Sequence, residues 1–469
     1  MLDLIRGETF LSECIYFFEV GDDQNDNTQE AHVIMQKPAY SVKKGCQKVD
    51  SHSHPRPYVY PPYAYVAYSY PQYPYQPYCS PIIRRNSDKI GRYEIVFHWN
   101  RLDWNFPDSR MKQEFEERQY WKKAMPAGIK VDQQGNFYVS VPRWAQGIPS
   151  TMNRIVIKNG KPLLEAFPNW EWNQAGNPKA LQSVLGYEID EHNRMWLLDQ
   201  GKIAYAPSQE GSQKLVIWDL TTNKWIDSIP IPNEIASYRT SFLNDLVVDN
   251  KHGFVYITDS GNGEGWTGRV AGGIIVYNMK TKTFRRVLDR HYSTQDFPDF
   301  VFEIDYKPIF KDRPLKLGAD GIALSADRST LYYCPVTGRN LYAIDTVLLR
   351  NFHTPLKKIN KAVQSIGSKG TTTDGMHADN KGNVFYTMLE GKGIGIYTSK
   401  RNQFSRFVSD DRMLWVDGVA FDQKGSIIFN SNRLHQMFGN EEEINWDYPY
   451  NLIVWKAFVG KNVKSYLYA

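Results

Sequence analysis

One unit recurs six times along this 469-residue chain and decides what it can fold into. Each copy is an apolar-alternating strand, an Asp, a short polar or Gly-containing turn, and a second alternating strand. The copies read AGIKVDQQGNFYVSV from Ala127, LGYEIDEHNRMWLLD from Leu185, LNDLVVDNKHGFVYITD from Leu243, ADGIALSADRSTLYYCP from Ala319, TDGMHADNKGNVFYTML from Thr373 and VDGVAFDQKGSIIFNSN from Val416. Their anchoring aspartates, Asp132, Asp190, Asp249, Asp327, Asp379 and Asp422, are 58, 59, 78, 52 and 43 residues apart. Short hairpins at a period of about 50 residues predict an all-β fold, a six-bladed β-propeller with one blade per copy. Asp before a tight polar turn explains the repeat without any function.

Later strands complete the blades. KLVIWDL with KWIDSIPI, and GGIIVYNM with KTFRRVL, supply the third and fourth strands of two of them. After the last copy only NLIVWKAF follows, so the sixth blade is one strand short. RYEIVFHW, Arg92 to Trp99, alternates well and precedes the first copy. It is expected to close the ring as the missing outer strand, leaving no sheet edge open. The propeller then occupies residues 89–469. RMKQEFEERQYWKK is the one good short-helix candidate, and the 78-residue spacing implies a long loop around Asp289 to Leu317.

Residues 1–88 have a different composition. Nine of the 30 tyrosines fall between Tyr58 and Tyr78, interleaved with proline, a pattern that predicts an extended, disordered segment. It reads either as a flexible tail or as a tyrosine-rich tract for oxidative cross-linking in an extracellular matrix. His52 and His54 lack a third ligand and are expected to be solvated. Cys14, Cys46, Cys79 and Cys334 form no C-x-x-C pair, and their pairing is left open. No clean signal peptide opens the sequence, because Glu13 interrupts a short apolar stretch, and no N-x-[ST] acceptor occurs. The net charge of +5 comes without a dense basic block, and no run of 18 apolar residues is present. Neither nucleic acid nor a spanned membrane is therefore an expected partner.

Chemistry is sparser than architecture. The sequence contains no H-E-x-x-H, P-loop, G-x-S-x-G or dinucleotide fingerprint. What stands out is a ring: Asn244–Asp245, Asp320–Gly321, Asp374–Gly375 and Asp417–Gly418 open innermost strands, which surround one mouth of a propeller channel. Converging carboxylates repel unless something compensates them. They could cap strand ends, hold calcium, or meet a ligand amine.

Several segments resemble the Yellow / major royal jelly protein family of arthropods. They are WNRLDWNFPDS from Trp99, PAGIKVD from Pro126, VPRWAQGIPSTMN from Val141, TDGMHADNKGNVFYTMLEGKGIGIY from Thr373 and LWVDGVAFDQKGSIIFNSNRL from Leu414. The resemblance covers roughly residues 92–460, and the family fold is a six-bladed propeller. It implies a secreted protein, and hence a divergent or incorrect start to this sequence. It also implies a channel binding small molecules, with aromatic amines or catechols first, and a link to cuticle pigmentation and melanin. If there is catalysis, conversion of dopachrome is the activity that the resemblance suggests.

The repeat geometry supplies the candidate ligand-binding residues. Asn244, Asp245, Asp320, Asp374 and Asp417 would meet an ammonium; Trp144 or Phe97 would stack on a ring; Thr337 and Asn430 would add hydrogen bonds. Trp144 also reads as packing between blades. No catalytic residue, metal ligand or cofactor is assigned. Two rivals remain: a calcium-dependent lactonase-like hydrolase, for which LNDLVVD from Leu243 is suggestive, and a structural protein of matrix or cuticle without a small ligand.

Overall fold

Six four-stranded antiparallel sheets carry the chain, each ordered from inside to outside along the sequence except the last. The computed structural model describes residues 89–261, 270–297, 300–311, 314–439 and 444–469. Contacts divide the chain into Met1–Pro81 and Ile82–Ala469, and the fold belongs to the second unit. The Tyr/Pro tract, His52, His54, Cys14, Cys46 and Cys79 lie outside the described residues. The innermost strands are Ile129–Val131, Val184–Ile189, Leu243–Asp249, Ala319–Leu324, Met376–Ala378 and Val416–Phe421. They touch one another in cyclic order, the last against the first.

The sixth sheet holds the closure. Tyr93–Trp99 pairs antiparallel with Leu452–Phe458, outside Ser426–Ser431 and Val416–Phe421. Trp99 is buried, and its indole Nε1 donates to Pro162 O at 2.8 Å, tying the closing strand to the first blade. On the inner side Asn430 and Asn432 donate to Pro126 O at 3.1 and 2.8 Å, a second seam between last and first blades.

The repeated aspartates are turn anchors. Asp132, Asp379 and Asp422 each accept backbone N–H groups from residues two and four ahead, at 2.8–2.9 Å. Asp190 does the same at 3.0 Å, and Asp249 and Asp327 accept from His252 and Ser329. A carboxylate that satisfies turn amides explains why the unit needs Asp at this place. Hydroxyls then stitch one blade to the next: Ser140 Oγ donates to Leu185 O, and Thr258 Oγ1 to Asp320 O, both at 2.7 Å.

Two local expectations need correction. Helix Ser109–Glu117 sits in the expected stretch, but three short helices also occur, Thr346–Arg350, Leu356–Lys361 and Leu434–Gly439. They are one or two turns long, too short to show a helical period in sequence. The long loop contains a hairpin, Phe302–Ile304 with Lys307–Ile309, made by a turn with Asp305 and Tyr306 at φ 53° and 61°. Two non-Gly residues in the left-handed region give no sequence signal for such a turn.

Arg143 shows how connections are fixed. It is almost fully buried, and its guanidinium donates to five carbonyls, those of Ile148, Pro149, Asn173, Leu181 and Gln182. Burial lowers its pKa to about 10, so it stays charged at neutral pH. Arg143→Met should cost at least about 3 kcal/mol in urea unfolding, because several buried acceptors lose their donor together. A change under 1 kcal/mol would mean that the carbonyls find water instead.

Candidate functional site

At the strand-start end of the channel lies a cavity of about 480 Å³. Its floor is the set of first axial residues of the inner strands: Leu185, Asn244, Asp320, Asp374 and Asp417. Aligned with Ala127 in the first blade, these form a ring that is apolar over blades one and two and polar over blades three to six. The next position is Gly in five blades, Gly128, Gly186, Gly321, Gly375 and Gly418, and Asp245 in the third. Glycine is needed here because neighbouring inner strands approach closely: a Cβ on Gly375 would lie 2.4 Å from Asp417 O. Beneath the floor is a small chamber of about 30 Å³, lined by four glycines of this tier, Gly128, Gly186, Gly375 and Gly418, together with Asp245 and Lys130.

The floor carboxylates are held by neutral donors. Asn244 Nδ2 donates to Asp320, Trp415 Nε1 to Asp374 Oδ2 at 3.0 Å, and Asn432 Nδ2 to Asp417 Oδ2 at 2.8 Å. No Lys, Arg or His among the described residues forms an ion pair with them. The cation nearest below, Lys130, is paired with Glu188 at 3.2 Å. Burial, then the neighbouring carboxylates, raises Asp320 and Asp417 well above the usual carboxylate range. Burial also lifts Asp374 to about 6, against the hydrogen bond from Trp415. Asp245 likewise rises to about 6 through burial, with Lys130 pulling the other way.

The walls are aromatic and aliphatic, with Trp144, Tyr205, Phe242, Phe310, Trp415 and Phe438 prominent. Trp415 joins wall to floor: its nitrogen holds Asp374 while its ring packs on Phe302 and Phe310 at 5.8 and 6.2 Å. Its φ of 41° is strained for a non-Gly residue and persists because contacts on several sides define it. Phe310, directly after the Phe302–Ile309 hairpin, lines the cavity, and Asp305 at the hairpin's tip pairs with Lys392 of the fifth blade.

The structure brings Trp144, Asn244, Asp320, Asp374 and Asp417 to one cavity and places Asp245 in the chamber below it. Trp144 lines the wall edge-on to Phe438 at 5.6 Å. Three candidates lie elsewhere. Phe97 is on the outer closing strand, packed on Phe137 and Trp99, because inner and outer ends of a blade never share the channel. Thr337 is turned away and donates to Leu317 O at 2.6 Å. Asn430 spends both ends of its amide on Gly418 N and Pro126 O. Sequence reading missed Leu185, Phe242, Phe310, Trp415 and Phe438. Leu185 and Trp415 had a usable signal, one at the ring position and one two residues before Asp417; the others come from connections without periodicity.

A family profile described as Major royal jelly protein matches residues 182–452, more than half the chain. Major royal jelly protein 9 of Apis mellifera is 31% identical over 275 residues, covering 55% of this chain and 59% of that protein. Protein yellow of Drosophila guanche is 26% identical over 367 residues, covering 72% and 61%. The chain thus spans about six-tenths of these relatives' length. Among solved structures a gluconolactonase from Xanthomonas campestris aligns with TM-score 0.44 and 12% identity, covering 81% of this chain and 91% of that one, a level from which nothing further follows. With the profile matched from the second blade through the inner strands of the sixth, this chain belongs to the Yellow / major royal jelly protein family.

Proposed function

We propose that the cavity binds a small cationic aromatic, an arylalkylamine or a catechol amine, with its ammonium against Asp320, Asp374 and Asp417. One observation carries this reading: three carboxylates, Asp320 and Asp417 buried and Asp374 half-buried, form the floor of a cavity with aromatic walls and have no cationic partner among the described residues. An ammonium would supply the missing charge, and charge-assisted hydrogen bonds in such surroundings are about twice as strong as neutral ones. The volume suits a small molecule, since such sites span about 300–1,000 Å³. The apolar half of the ring, Ala127 and Leu185, would face the ligand's ring. Export from the cell and a part in cuticle pigmentation or melanin chemistry belong to the same proposal and are supported by family membership. Among the described residues no helix is long and apolar enough to cross a membrane.

The calcium-dependent lactonase reading fits less well. Among the described residues no three His, Cys, Asp or Glu side chains are gathered as metal ligands, so no step is derived through calcium. Calorimetric titration with amines, catechols and lactones, with and without a calcium chelator, separates the readings. Amine heat that is insensitive to chelation is expected. Chelator-sensitive lactone turnover without amine heat would favour the hydrolase, and silence throughout would favour a matrix or cuticle protein.

The pH dependence has a defined sign. An arylalkylamine stays protonated below pH 8, whereas Asp374 titrates at about 6 and Asp320 and Asp417 also hold protons above the usual range. Binding needs the ionised carboxylate, so affinity should rise from pH 5 to 8, by up to about tenfold per unit below the midpoint for each proton displaced. A flat profile would mean that no floor carboxylate titrates with binding.

A further inference from the structure

The third blade breaks the glycine tier. Asp245 occupies the position that Gly128, Gly186, Gly321, Gly375 and Gly418 hold in the other blades, and it is the one axial carboxylate that lines the chamber without lining the cavity. Gly186 makes room for it: a Cβ there would lie 2.6 Å from Asp245 Oδ1 and 2.4 Å from Asn244 O. The Asp245 backbone N–H donates to Thr258 Oγ1 at 3.1 Å, and its Oδ1 accepts from Leu246 N at 2.8 Å. The carboxylate shares the chamber with Asp320, Asp374, Asp417 and Lys130, and Tyr187 and Glu188 of the second blade also feel its charge.

We propose that Asp245 is a positioning charge and not a ligand contact: from beneath the floor it governs how many protons Asp320, Asp374 and Asp417 hold, and so sets the pH at which the cavity takes up a cation. The geometry requires such coupling. Four carboxylates border one small space, and the one cation among the described residues that lines it, Lys130, is shared with Glu188 and with Val419 O. Each ionised neighbour opposes ionisation of the next, and the charge of Asp245 raises both Asp320 and Asp417. Macroscopic titration of the floor therefore belongs to the group of four. The inference rests on the reading of the cavity as a cation site, and one arm of its test does without any ligand.

The test compares the full chain with Asp245→Asn and Asp245→Gly, the second matching the residue of the other blades. Dopamine affinity is measured from pH 5 to 8.5. The expected result is a midpoint lower by about half a unit, hence about threefold tighter binding near pH 6.5, with little change at pH 8.5. A uniform loss at every pH would overturn the proposal, because it marks a direct contact or a purely structural role; an unmoved midpoint would overturn it as well. If the parent chain binds no dopamine at any pH, the cation-site reading fails, and the ligand-free arm decides the coupling. There, the fall in melting temperature from pH 5 to 8 is compared for Asp245→Asn, Asp417→Asn and the double variant. Buried carboxylates with raised pKa lose stability as pH rises through this range, so each single variant should flatten the fall. Recovery in the double variant smaller than the sum of the singles supports coupling, and strict additivity overturns it.

Discussion

A chain lacking residues 1–88 should fold and melt cooperatively, whereas one lacking residues 1–100 should aggregate. The second deletion removes Tyr93–Trp99, the outer strand of the sixth blade, and leaves Leu452–Phe458 as an open edge. It also removes the buried Trp99, Tyr93 packed edge-on to Trp455 at 6.0 Å, and Phe97 on Phe137 at 5.1 Å. Each large apolar side chain fully buried is worth about 1.5–3 kcal/mol. Several lost together consume most of the about 5–15 kcal/mol that holds a typical domain. An unpaired apolar edge strand is in addition a template for association. Size-exclusion chromatography and thermal melting distinguish the two products. Identical behaviour would show that the ring does not depend on its N-terminal strand.

Asp374→Asn should move binding and stability in opposite directions. For an ammonium seated on the floor, loss of a charge that meets it costs about 2–5 kcal/mol, at least about thirtyfold in affinity. In the ligand-free protein the same change removes a carboxylate whose charge opposes ionisation of Asp320 and Asp417, while an Asn Oδ1 can still accept from Trp415 Nε1. The folded-state pKa of Asp374 is raised, so its ionised form destabilises the protein above about pH 6, and the variant should melt higher than the parent at pH 7.5. Opposed effects of this kind are what a functional site held at a stability cost produces. Loss of both together would instead mark Asp374 as a structural residue.

How much could be read in advance follows from what repeats. The six Asp-turn hairpins, the inner strands and the closure by Tyr93–Trp99 are legible because blade geometry imposes period-two alternation and a fixed turn in every copy. Asp320, Asp374 and Asp417 follow from the same register, since a propeller brings equivalent positions of its inner strands to one mouth. Phe310 and Phe438 were not legible, because one directly follows a hairpin inserted between the third and fourth blades and the other sits on a helix inserted within the sixth, where no period constrains them. Phe97 misled for a related reason. Alternation shows which residues face inward within a blade, but it does not show how far from the axis a strand lies. That Asp245 departs from five glycines is visible once the six copies are aligned, whereas its place in a chamber beneath the floor is not.

On the proposed reading, the floor of the cavity recognises positive charge on an aromatic ligand. The most direct measurement is calorimetric titration of the full chain at pH 7.5 with dopamine and, side by side, with 4-methylcatechol, which keeps the ring and hydroxyls but lacks the amine. A desolvated charge pair with ring burial supports roughly micromolar affinity, about −8 kcal/mol. Dopamine is expected to bind at this level and 4-methylcatechol at least about thirtyfold more weakly, the low end of the cost of an unpaired buried charge. Equal affinities for the two compounds, or no heat from dopamine, would contradict it.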